Sequence, residues 1–125
     1  MYNIIINNLA TINYNRKKQI LNIKFNSKNI KLEKLAKLNS IIKQIIKNQR
    51  IVLIIDFNGN YSKKLKNETI NFLDNLNISH IILINRNSLQ NTLNNFFGPF
   101  QPLKKNIPIT TVRSIDEAVK ISNTL

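Results

Sequence analysis

The chain has 125 residues, 42% of them hydrophobic and 20% charged, with 19 Lys and Arg against 6 Asp and Glu and a formal net charge of +13. That length suits a single domain over residues 1–125, and the apolar share is enough to bury a core, so disorder is a poor account of the basic charge. With no Cys and one His, disulfide frameworks, thiolate zinc sites and Cys nucleophiles are excluded and a Ser-His-Asp triad would have to use His80, so no enzymatic activity, metal or cofactor is expected.

The charge has two readings. Asn, Ile and Lys, as in Asn7-Asn8, Ile41-Ile42, Lys63-Lys64 and Asn94-Asn95, all have AT-rich codons, and compositional drift would raise Lys at permissive surface positions whatever the function. The other reading is electrostatic binding of a partner. No signal-peptide pattern opens the chain and no stretch approaches the roughly 18 apolar residues of a membrane span, so the expected location is the cytoplasm and no transmembrane segment is expected.

In chain order, residues 9–14 and 20–25 are two short runs separated by the polar Asn15-Arg16-Lys17-Lys18, and Leu21, Ile23 and Phe25 alternate with Asn22 and Lys24. A period of two is that of a half-buried strand, so a β-hairpin is expected to open the fold. From Lys31 the period lengthens: Leu32, Leu35, Leu38, Ile42 and Ile45 recur at steps of three and four, with Lys31, Lys34, Lys37, Lys43 and Lys47 between them, which predicts an amphipathic helix over 31–47. The unbroken β-branched run 51–55 predicts a central parallel strand buried on both faces, ended by the turn residues Asp56-Phe57-Asn58-Gly59-Asn60.

A helix is expected over 62–76, with Leu65, Thr69, Phe72, Leu73 and Leu76 on one face, followed by a strand over 81–84. Ser88 can cap a further helix carrying Leu89, Leu93, Phe96 and Phe97, stopped by Gly98-Pro99. A last strand over 107–112 precedes Ser114-Ile115-Asp116-Glu117, a capping box that opens a final helix with Ile115, Ala118, Val119 and Ser122 facing inward. The expected fold class is α/β, a mixed and mainly parallel sheet in the order β-β-α-β-α-β-α-β-α with right-handed crossovers.

Several residues invite a functional reading. Ser62 stands where a helix should begin and serves there as an N-cap, but a phosphate on it would also meet open amides and the nearby Lys63, Lys64 and Lys66. Asp56 ends a parallel strand as a receiver-domain phosphoacceptor does, yet no acidic residue precedes Glu33 to complete a Mg²⁺ site, so it reads as a strand-end or turn carboxylate. His80 enters a strand as a structural or surface histidine. Phe96 and Phe97 fall on an inner helix face, whereas Phe100 lies past the helix stop and is a candidate apolar contact. Gly59 and Gly98 are isolated, which excludes a Gly-rich phosphate loop.

The element order, the strand 51–56 ending in Asp, and the closing stretches Asn94-Asn95-Phe96-Phe97-Gly98, Pro108-Ile109-Thr110-Thr111-Val112 and Ser114-Ile115-Asp116-Glu117-Ala118 together resemble the STAS-like superfamily. This is the fold of the bacterial anti-sigma factor antagonists and of sulfate transporter C-terminal domains. The resemblance implies a bacterial, cytoplasmic, non-enzymatic regulatory module that docks another protein. In the antagonists a Ser at the start of the helix after the central strand is phosphorylated; the nearest position here is Ser62, in Asn60-Tyr61-Ser62-Lys63 where that subfamily has Asp-Ser-Ser-Gly. The expected docking surface is accordingly the stretch from Asn58 and Asn60 through Ser62, Lys63, Lys64 and Lys66. The alternative is a basic module that binds an anionic ligand, nucleic acid or lipid head groups, through phosphate contacts that weaken steeply with salt.

Overall fold

The computed structural model describes residues 2–6, 10–26, 32–56, 76–84 and 107–125. Their elements are β1 (Tyr2–Ile6), β2 (Ala10–Asn15), β3 (Ile20–Phe25), α1 (Leu32–Ile46), β4 (Ile51–Asp56), β5 (Ile78–Ile84), β6 (Ile109–Val112) and α2 (Ile115–Ser122). The six strands form one sheet in the order β1-β2-β3-β4-β5-β6. β1, β2 and β3 pair antiparallel, and β3, β4, β5 and β6 pair parallel.

This is the mixed α/β class read from the sequence, with one correction. The fold does not open on a two-stranded hairpin, because Tyr2–Ile6 forms a further strand outside β2, in register from Tyr2 opposite Tyr14 to Ile6 opposite Ala10. The helices expected over 62–76 and after Ser88 lie outside the described residues, apart from Leu76, which is buried.

Alternation decides which side chains enter the core. Ala10, Ile12 and Tyr14 of β2 and Leu21, Ile23 and Phe25 of β3 are wholly buried on one sheet face, and the register places the small Ala10 opposite the large Phe25. α1 covers that face with Leu38, Ile42 and Ile46, spaced four apart, flanked by the half-buried Ile41 and Ile45. α2 lies on the other face, where Ala118, Ile115 and Ile121 pack against Ile54, Ile82, Ile84 and Val112. β4 is covered on both sides, which is why it reads as an unbroken apolar run. The inward face of α2 differs from the one expected: Ile121 packs inward, whereas Val119 is 43% exposed.

One irregularity makes the core consistent. Ile78 and Ile81 are three residues apart, so strict alternation would send them to opposite faces, yet both belong to the α1-side cluster. The β4–β5 register slips by one residue, from Ile51 opposite Ile78 to Val52 opposite His80, and the extra residue, Ser79, donates its hydroxyl to the Ile51 carbonyl at 3.1 Å.

Candidate functional site: a polar trough and a basic sheet end

Among the described residues, the face of the sheet that carries α2 is not covered evenly. On β2 and β3 this face presents Thr11, Asn13, Asn22 and Lys24 where the opposite face presents only apolar side chains and Tyr14. A cavity of about 300 Å³ is lined by these four residues together with Asp56 and Ile115. A second, of about 140 Å³, shares Asn13 and Asn22 and continues past Ile20 and Ile54 to Val119, Ser122 and Asn123. The two form one trough beside α2, from the start of that helix to its end.

Asp56 closes the trough at the carboxyl end of β4. It is 2% exposed and stands in register with Lys24 on β3 and Ile84 on β5, a strand-end carboxylate buried at the carboxyl end of the sheet, where parallel α/β proteins usually place their ligands. The helix start beside it is held by Ser114, whose side chain accepts from the Glu117 amide at 3.2 Å. Glu117 reaches back to the Arg113 amide at 3.2 Å, one residue before the N-cap itself, so the expected capping box forms in a shifted version.

The amino end of the parallel strands has a different character. Residues 16–19 turn the chain from β2 into β3, with the Lys18 amide donating to Oδ1 of Asn15 at 3.1 Å and Gln19 at φ 57°. This turn is fastened on both sides of the sheet. On the α1 side the buried Tyr14 hydroxyl donates to Oε1 of Gln49, in the connection from α1 to β4. On the α2 side Nζ of Lys18 donates to Oδ1 of Asn123, the C-cap of α2, at 3.1 Å. Between them the Val52 amide donates to the Gln19 carbonyl at 2.9 Å.

Because both helices run against the strands, their C-terminal turns arrive at this same end. α1 delivers Lys43, Lys47 and Arg50, α2 delivers Lys120, and the turn itself holds Arg16, Lys17 and Lys18; all seven are exposed. The described acidic residues lie at the opposite end: Glu33 in the first turn of α1, Asp56 at the end of β4, and Asp116 and Glu117 in the first turn of α2. Helix dipoles favour this arrangement, acids at amino ends and bases at carboxyl ends.

His80 sits on β5 with its Nε2 2.8 Å from Oγ1 of Thr110 on β6, and burial lowers its pKa below 6.5. Among the described residues no group of three His, Cys, Asp or Glu is placed to hold a metal ion, and no helix is long and apolar enough to cross a membrane.

The site residues read from the sequence, Asn58, Asn60, Ser62, Lys63, Lys64, Lys66 and the apolar candidate Phe100, lie outside the described residues. Of the residues that the structure does bring together, in the trough and at the basic end, the sequence singles out Asp56 as a strand-end carboxylate and Ile115, Val119 and Ser122 as an inward helix face, and reads most of the others as a wet strand face, a hairpin loop and a solvated helix surface. The consecutive Arg16-Lys17-Lys18 was the one local signal of the basic end.

No protein-family model, no curated protein and no solved structure matches the chain.

Proposed function

We propose that the chain is a non-enzymatic, cytoplasmic regulatory module, STAS-like in kind, that docks a partner protein along the trough between α2 and the outer face of β2 and β3. The trough is the observation that carries this reading. Its floor of Thr11, Asn13 and Asn22 offers side-chain donors and acceptors, with Ile115 and Val119 beside them, and a polypeptide segment presents the matching mixture of amide and aliphatic groups. The resemblance of the element order and of the closing motifs supports the family assignment, and Ser62 is the position at which that resemblance places phosphorylation.

The test is site-directed photo-crosslinking in a cell extract, with the reactive group at Asn22 in the trough or at Lys37 on the exposed side of α1. Capture of one defined protein from Asn22 but not from Lys37, lost on Asn13→Arg, is the expected result. Equal capture from both positions, or capture from Lys37 alone, refutes the docking face.

A further inference from the structure

We infer that the amino end of the parallel sheet is a second binding surface, for the phosphate backbone of nucleic acid. It goes beyond the docking trough, which lies along the α2 face and is lined by different side chains apart from Lys18.

The inference rests on convergence. Lys17 and Lys18 in the β2–β3 turn, Lys47 and Arg50 around the α1–β4 connection and Lys120 on α2 are separated by up to about a hundred residues in sequence. The fold gathers them at one end, where the Tyr14–Gln49 and Lys18–Asn123 hydrogen bonds hold the turn against both helix ends. Net charge raised by codon drift would scatter cations over the surface. Here the described acids all stand at the other end, so the field of the described residues is directed.

Dipole complementarity gives Lys43, Lys47 and Lys120 a structural role, but Lys17 lies in a turn outside both helices and needs another account. Both non-glycine residues with positive φ among those described, Gln19 at 57° and Lys47 at 55°, flank this end and fix the backbone that carries the cations.

The chemistry of the surface selects the partner. A protein interface needs an apolar core, and stable membrane anchoring needs an apolar signal in addition to charge. Among the described residues the exposed large apolar side chains are two, Val119 and Leu125, both on the α2 side of this end and too few to form such a core. Tyr14, next to the β2–β3 turn, and Phe25 are wholly buried, so neither ring is a platform on which a base could stack. What it offers is positive charge from several backbones, which suits phosphates read without regard to sequence.

The experiment is fluorescence anisotropy with a labelled 20-base-pair duplex, titrated at several salt concentrations. If about four phosphates are engaged, log affinity falls with log salt at a slope of roughly −4. The double variant Lys17→Glu/Arg50→Glu is expected to lose at least about tenfold in affinity. The control Lys37→Glu/Arg113→Glu, with the same change in net charge away from this end, loses less than about threefold. Equal losses in the two variants would show that only total charge matters and overturn the proposal, as would absent duplex binding at low salt or tighter binding to phosphatidylserine vesicles or a poly-glutamate peptide. Circular dichroism melts establish that both variants are folded. Crosslinking from Asn22 in the Lys17→Glu/Arg50→Glu protein separates the two surfaces: capture of the protein partner persists if they are independent.

Discussion

Tyr14 of β2 donates its hydroxyl to Oε1 of Gln49, 35 residues away, joining a buried strand to the connection between α1 and β4. The ring is wholly buried, so its polar end would be left unsatisfied without this acceptor.

Tyr14→Phe is expected to destabilise the fold by about 1–2 kcal/mol in urea unfolding, because Gln49 then loses its donor in a partly buried place. The pH dependence identifies the group further. Burial raises the phenol above its ordinary pKa of 10.0, with the positive Arg16 opposing the shift in part. The folded protein therefore holds the proton more tightly than the unfolded chain, so the stabilisation is complete below pH 10 and declines as pH rises beyond it. The difference between wild type and Tyr14→Phe should shrink on going from pH 8 to about pH 11; a constant difference would contradict the assignment.

His80 acts in the opposite pH range. Burial depresses its pKa below 6.5, so the unfolded chain takes up the proton first as pH falls. Stability from this group is present above pH 6.5 and is lost as pH drops through the folded value. The urea midpoint of the wild type should fall between pH 7.5 and about pH 5 by more than that of His80→Gln, which carries no titrating ring. Parallel falls in both proteins would remove His80 from the explanation.

Ser114→Ala should cost about 1 kcal/mol, since the side chain accepts the Glu117 amide at the start of an eight-residue helix. Amide hydrogen exchange on Ala118 and Val119 should quicken more than exchange on β4. If exchange quickens equally everywhere, the cap is not specific to α2.

Gln19 tests the turn. A left-handed residue with a Cβ costs roughly 1–2 kcal/mol, and glycine removes that cost while gaining about 0.4–1 kcal/mol of unfolded-state freedom. Gln19→Gly should leave stability unchanged or raise it by up to about 1 kcal/mol, whereas Gln19→Val lowers it. A large loss in the glycine variant would mean that the side chain, not the backbone, matters at this position.

How much of this was legible in the sequence depends on whether the signal is local. Leu21, Ile23 and Phe25 declare their strand by alternation, and Ile51 to Ile55 declare a strand covered on both faces, because each pattern is written in neighbouring residues. Tyr2–Ile6 was missed: three consecutive isoleucines framed by asparagines show no period, and their strand state comes from pairing with β2. Val119 was placed inward by spacing alone, but the sheet beneath α2 is reached through Ala118, Ile121 and Ser122. The basic end was illegible for a topological reason. Residues 17, 50 and 120 come to the same end of the sheet only once the strand order and the direction of both described helices are fixed. The trough was half visible, since Asn13, Asn22 and Lys24 already alternated with core residues, but Asp56 and Ile115 join them only in the folded sheet.

The most direct test of the proposed docking module is a backbone amide footprint of the protein with its captured partner bound. Nuclear magnetic resonance shift changes and slowed exchange should concentrate on Thr11, Asn13, Asn22, Lys24 and the exposed side of α2 around Val119. A footprint confined to the outer side of α1, at Lys37, Ser40 and Lys43, would contradict the account.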